Sequence, residues 1–194
     1  MNRKSKITIL AFIAILTSGF SHMASSIEEP RYELVQAIGD LEIRRYEPAI
    51  QAITVLPGES SSSEGFRRLA GFIFGGNEQE QSISMTAPVQ ETLGATTPTM
   101  AFTMPAEYTM EELPDPSDAR VTLQDVPART VAVVTFSGWA TSARVARYER
   151  QLLEVLKAND IPTKGNSSLN QYNPPWTLPF LRRNEIMVEV KQPS

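Results

Sequence analysis

The strongest constraint on this chain is a recurrence. The same order of segments appears twice along it: a short strand, a break containing glycine, an amphipathic helix, a polar loop, a strand with a proline motif and a further strand. In the first half the proline motif is Met85-Thr86-Ala87-Pro88-Val89. In the second it is Tyr172-Asn173-Pro174-Pro175-Trp176. Two such units predict an α+β fold with two similar halves: a distorted antiparallel β-barrel, or an open barrel, with two helices flanking its outside.

The elements follow from local pattern. Residues 32–35 and 41–46 read as strands joined by a Gly39-Asp40 turn, and residues 49–55 as a third, ended by Pro57-Gly58. Ser61 and Glu64 sit at capping-box spacing. After them Phe66, Leu69, Ala70, Ile73 and Phe74 fall on one helical face, with Phe72 off it and directed toward solvent. Gly75-Gly76 stops that helix, and residues 77–81 are a polar loop. Strands are expected over 82–91 and 99–104, an acidic, proline-rich loop over 105–120, and strands over 121–125 and 129–136. The β-branched run 129–136 fits burial on a sheet. A second helix spans about 141–159, with Val145, Tyr148, Leu152, Val155 and Leu156 as its apolar stripe. Residues 160–168 read as loop. Residues 169–173 and 185–190 are the last strands, flanking a segment with Pro174, Pro175 and Pro179.

Residues 1–26 read as a secretory signal ahead of a single domain over 27–194. Arg3, Lys4 and Lys6 form a basic start, Ile7 to Leu16 an apolar stretch, and Ser18 to Ser26 are rich in small residues. Cleavage is expected after Ser26, with Ala24 an alternative, and the product is exported to the periplasm or secreted. Cleavage takes three of the 18 basic residues and none of the 22 acidic ones, leaving a net charge of about −7. Such a chain is ill suited to sequence-independent nucleic-acid binding, which needs cations against phosphates. It is also repelled by anionic membrane surfaces. No apolar run reaches the roughly 20 residues of a membrane-spanning helix.

Composition then narrows the chemistry. The chain has no Cys, and its one His, His22, leaves with the signal. Disulfides, a Cys–His pair and a Ser-His-Asp relay are excluded, and zinc catalysis loses its usual ligands. No phosphate-cradling loop or dinucleotide fingerprint is present. Carboxylate-pair hydrolysis stays formally open, but Glu78, Glu80, Glu111, Glu112, Asp115 and Asp118 cluster in loops, as solvated charges do. What the chain does offer is aromatic surface beside arginine. Phe66 and Phe72 neighbour Arg67 and Arg68; Trp176, Phe180 and Leu181 neighbour Arg182 and Arg183. An apolar platform rimmed by guanidinium groups suits a flat, greasy ligand with carboxylates. The plainer alternative is a buried helix face with solvated arginines.

Phe74-Gly75-Gly76-Asn77 followed by Ile83-Ser84-Met85-Thr86-Ala87-Pro88-Val89 resembles the SOUL/haem-binding protein family. So does Tyr172-Asn173-Pro174-Pro175-Trp176 followed by Arg182-Arg183-Asn184-Glu185-Ile186, and the likeness covers about residues 30–190. The resemblance implies the barrel with two flanking helices already read from the repeat. It also implies haem or another tetrapyrrole bound in a shallow hydrophobic groove. The matching positions are Phe66, Arg67, Ala70, Gly71 and Phe74 on the helix, and Trp176, Thr177 and Phe180 in the tail, with Arg67, Arg68 or Arg182 pairing the propionates. Some relatives carry Met and Lys where this chain has Arg67, Gly71 and Phe72, and a Lys where it has Thr177. Haem would be held without His or Cys. The remaining candidate iron ligands are Met85, Tyr172 and Met187.

The first reading is a non-enzymatic tetrapyrrole-binding module acting as carrier, buffer or sensor. A second is a binder of other amphipathic small molecules, since the two-half architecture also resembles regulator effector-binding domains; acids such as Glu185 near aromatics would favour cations. An enzyme linked to pigment breakdown is a third, weakened by the missing His and Cys. Protein–protein interaction is a fourth.

Overall fold

The structure is a computed structural model, and it describes residues 27–57 and 62–191. The expected signal over residues 1–26, and Ser61 of the capping box, lie outside the described residues. In chain order the elements are β1 (Tyr32–Ile38), β2 (Leu41–Tyr46), β3 (Ala49–Val55), α1 (Ser62–Ile73), β4 (Val89–Thr92), β5 (Thr99–Thr103), β6 (Val121–Val126), β7 (Arg129–Phe136), α2 (Ser142–Ala158), β8 (Thr163–Gln171) and β9 (Asn184–Val190). A short 3-10 turn, Pro179–Leu181, precedes β9. All nine strands join one sheet in the order β1-β2-β7-β9-β8-β4-β5-β3-β6. Every pairing is antiparallel. The sheet curls into a half-barrel, the expected distorted barrel with two helices.

Strand register fixes which side chains share a face. On one face lie Ile43, Ala132, Val188, Leu169, Met100, Phe102 and Ala52, and both helices pack there. α2 covers one half, placing Val145, Leu152 and Leu156 on Leu41, Val134, Phe136 and Ile186. α1 covers the other, placing Leu69, Phe72 and Ile73 on Ala52, Met100, Phe102 and Val121. Each fully buried leucine or isoleucine here contributes about 1.5–3 kcal/mol. The opposite face is polar for the most part. It carries Arg44, Gln51, Gln90, Asn170 and Glu185, with a small apolar cluster of Tyr46, Val131, Val133 and Met187.

Three expectations need correction. The pattern of residues 160–168 predicts a loop, yet Thr163–Gln171 is β8. Its sequence is polar, but a place between β4 and β9 supplies both ladders of hydrogen bonds, and position outweighs propensity. The strand expected over 82–91 shrinks to Val89–Thr92. Pro88 has no N–H for a ladder, and before it the chain makes only isolated bridges at Ser82 and Thr86. Phe72, expected in solvent, is only 2% exposed, whereas Phe74 is 65% exposed. The buried face of α1 is Gly65, Leu69, Phe72 and Ile73. Because the helix ends at Ile73, Phe74 no longer follows its periodicity.

Candidate functional site

α1 forms because Ser62 to Ile73 places small or apolar groups at 65, 69, 72 and 73, which meet the sheet at helical spacing. Its start is tied down where the Ser62 hydroxyl donates to Glu91 on β4, at 2.9 Å. Gly65 is needed for the close approach: a Cβ there would stand 2.4 Å from Leu56 Cδ2. The outward face then carries the predicted residues in two neighbouring rows, Phe66 with Ala70 and Arg67 with Gly71, each pair four residues apart. Phe66 is 40% exposed and leans edge-on against Phe102, ring centres 5.4 Å apart. Arg67 and Gly71 are exposed, Ala70 half-buried. A Cβ on Gly71 would meet nothing within 4 Å, so this stretch of helix is a bare floor. Arg67 has no ion-pair or hydrogen-bond partner among the described residues. Arg68 differs: it is paired with Glu64 and donates to the Val55 carbonyl at 3.0 Å.

The second set of predicted residues lies on the loop between β8 and β9. Pro174, Pro175 and Pro179 restrict its backbone. Trp176 is 82% exposed and Phe180 71%, and Leu178 and Leu181 are also exposed; Thr177 is half-buried. No charged side chain occurs from Pro174 to Leu181. Arg182 holds this loop from within. Its guanidinium donates to the carbonyls of Thr177, at 2.9 Å, and Pro175, and it lies 3.8 Å from the ring centre of Trp139. It is therefore committed inside the loop, where the sequence suggests a partner for propionates. The loop is fastened to the break before α2, because Gly138 N donates to the Pro179 carbonyl at 2.8 Å. Gly138 has φ +90°, and a Cβ there would press on the Arg144 guanidinium at 3.0 Å. Trp139, just beyond, extends the exposed apolar patch.

The two sets rest on different parts of the fold. α1 lies over β3, β5 and β6, while the loop joins β8 to β9 and is fastened to the break before α2. Among the described residues no hydrogen bond, ion pair or ring contact joins them. They are two exposed apolar surfaces, one on α1 and one on the β8–β9 loop.

The candidate iron ligands are occupied elsewhere. Met85 packs against the cluster under α1 and Met187 is buried with Tyr46 and Val133. The Tyr172 hydroxyl donates to Glu185 at 2.7 Å. Glu185 is 1% exposed and also takes a hydrogen bond from Arg44 at 3.0 Å. Arg44 in turn reaches the Tyr46 hydroxyl and Glu42. Burial pushes the Tyr172 phenol well up, and the adjacent Glu185 carboxylate adds to the rise. Burial likewise raises Tyr46. For Arg44 burial opposes the charge, but Glu185, Tyr46 and Glu42 more than offset it and its pKa rises. Tyr172 therefore stays a protonated donor, unsuited to iron, and Glu185 is already neutralised rather than free to attract a cation. The residues present fit the apolar faces of a porphyrin, with Arg67 for a carboxylate. They do not fit ligation of its iron.

Sequence reasoning placed Leu181 beside Trp176 and Phe180 but missed Trp139 and Leu178 as parts of the exposed patch. The run Trp-Thr-Leu-Pro-Phe-Leu was a usable signal, since apolar residues between prolines with no strand or helix period have no face to bury. Nothing in the sequence pointed to the Arg44–Glu185 pair, whose members are 141 residues apart.

Comparison with known proteins agrees with this reading of the fold. The chain is 29% identical over 191 residues to Heme-binding protein 2 of Mus musculus, spanning 86% of this chain and 91% of that protein. It is 27% identical over 148 residues to Heme-binding protein 2 of Homo sapiens, spanning 69% and 72%. Among solved structures, the EcmrR C-terminal domain is similar with a TM-score of 0.60 at 13% identity, over 82% of this chain and 98% of that one. A hydrolase from Listeria innocua gives 0.55 at 12% identity, over 81% and 94%. At such identities the likeness is one of fold alone. The model of the SOUL heme-binding protein matches residues 27–189, and the chain belongs to that family.

Proposed function

We propose that this protein binds haem or a related tetrapyrrole without transforming it, as a carrier, buffer or sensor outside the cytoplasm. One observation carries the reading: an uncharged loop, braced by Arg182, presents Trp176, Leu178, Phe180 and Leu181 to solvent. Contiguous exposed apolar surface of this kind marks a binding site. Family membership supplies the ligand class, and the bare outward face of α1 with Arg67 offers a second surface of the same chemistry. Binding is driven by apolar area removed from water, at about 25 cal/mol per Å². With iron unligated by the protein, affinity is modest and no single ligand substitution abolishes it.

Hemin titration followed at the Soret band tests this. The expected result is saturable one-to-one binding, weakened about tenfold or more, the equivalent of about 1.4 kcal/mol, by Trp176→Ala with Phe180→Ala. The band should lack the change that protein ligation of iron produces. Phe66→Ala with Arg67→Glu reports whether α1 shares the site. Non-saturating spectra, unchanged in both double variants, would sink the reading. The exported location is tested by N-terminal sequencing of protein from the extracytoplasmic fraction, where Ile27 is expected first.

A further inference from the structure

A cavity of about 490 Å³ opens at the end of the sheet formed by the start of β3 and the ends of β5 and β6. That volume falls in the roughly 300–1,000 Å³ range of small-molecule sites. It shares no residue with α1 or with the β8–β9 loop. Its walls are apolar: Pro48, Ile50, Met104, Pro105, Val126 and the half-buried Tyr108. Residues 28–31 cross the sheet end as a strap and form another side. The strap is pinned there, since Glu28 accepts through its carbonyl from Ala87 N and through its carboxylate from Ala106 N, both at 2.8 Å.

The mouth is acidic. Glu28, Glu29, Glu47 and Asp125 stand around it with Arg31 as the one cation lining it. Glu29 is neutralised by Arg183 and Glu28 is engaged by Ala106. The carboxylates of Glu47 and Asp125 have no partner among the described residues, and both residues are exposed. Counting Arg31 against Glu28, Glu47 and Asp125, the mouth keeps an excess of two negative charges. Apolar walls favour a hydrophobic body, and unpaired carboxylates at the rim favour a positive charge on it. A dianionic tetrapyrrole is repelled by the same rim.

From this juxtaposition we infer a second ligand site, separate from the tetrapyrrole surface, that takes an amphipathic organic cation: an apolar ring system or chain bearing a protonated or quaternary amine. The body lies against Ile50, Met104 and Val126, and the charge sits between Glu47 and Asp125. This role falls to the rim acids because the buried Glu185 is already paired with Arg44.

Fluorescence anisotropy of the lipophilic cation rhodamine 6G, titrated with the purified full chain, tests the site. Saturable one-to-one binding is expected, with no comparable binding of the anionic dye fluorescein. Glu47→Gln with Asp125→Asn should weaken it about fivefold or more, the equivalent of about 1 kcal/mol. Glu111→Gln, an exposed loop acid away from the cavity, should leave it unchanged. Ala106→Trp, which fills the mouth from a second position, should weaken it independently of charge. Trp176→Ala should have no effect, and hemin should not displace the dye. Undiminished binding in the Glu47/Asp125 variant, equal binding of fluorescein, or loss of the dye in Trp176→Ala would each overturn the inference.

Discussion

The two halves of this molecule share an order of elements and spend it differently. In the first, the helix turns chemistry outward: α1 leaves Phe66, Arg67 and Gly71 exposed, while the proline motif after it is buried at Thr86 and Ala87. In the second the roles are exchanged. α2 buries Val145, Leu152 and Leu156 and is capped by Thr141, while the proline motif after it opens into an exposed loop carrying Trp176 and Phe180. The polar face differs too. The part of the sheet under α1 holds it with a neutral pair, Gln51 donating to Gln90 at 3.0 Å; the part under α2, to which β2 belongs, holds it with the Arg44–Glu185–Tyr172 network. A repeated framework sets where a surface can form, and side-chain choice sets which copy of the element becomes that surface.

The largest effect should come from the polar face. Arg44→Ala leaves Glu185 charged and buried without its guanidinium and should cost about 3–5 kcal/mol in urea unfolding. Gln51→Ala should cost only about 1 kcal/mol. Equal costs would erase the contrast between the halves. Next come the apolar surfaces. Leu152→Ala should lose about 2–5 kcal/mol, whereas Trp176→Ala should change stability by no more than about 0.5 kcal/mol while lowering hemin affinity. A large loss of stability in Trp176→Ala would make the loop structural rather than functional.

Within α1 the two glycines should move stability in opposite directions. Gly65→Ala drives a methyl into Leu56 and should cost about 1–3 kcal/mol. Gly71→Ala meets open space and should gain up to about 1 kcal/mol through helix propensity. Thermal melts of both variants check the assigned inward and outward faces.

The smallest effect per step is pH dependence. Tyr172 and Tyr46 have phenol pKa values raised in the folded state, by burial first and then by Glu185. Unfolded tyrosines lose their protons near pH 10. Above that pH the unfolded chain binds fewer protons than the native one, so stability falls as pH rises, by up to about 1.4 kcal/mol per pH unit for each tyrosine. Below pH about 10 the contribution is fully present. Unfolding free energies across this window, with Tyr172→Phe showing a shallower decline, check the sign; a flat profile in the parent chain would remove the buried network under α2 from the account.

Much of the framework was legible in the residues. The pattern predicts β7 at its observed bounds and α2 to within a residue at each end, because β-branched runs and helical stripes are local signals. The proline motifs and the candidate surfaces on α1 and the β8–β9 loop were also placed from sequence, through a family resemblance. β8 was not legible, because a polar strand forms only when both its neighbours are already there. Nor was the orientation of Phe72 and Phe74, which depends on where α1 stops and on Gly65 letting Leu56 pack close. Arg182 shows the limit most clearly. Its charge and its aromatic neighbours are written in the sequence, but its task is set by two carbonyls that the folded loop turns toward it. The sequence by itself determined both helices and the strands with a local apolar pattern, and that the chain carries aromatic surface beside arginine. Only tertiary structure decided which of those charges are used up within the protein and which stay unpaired at the surface, because pairing depends on distances across the sheet that no local pattern encodes.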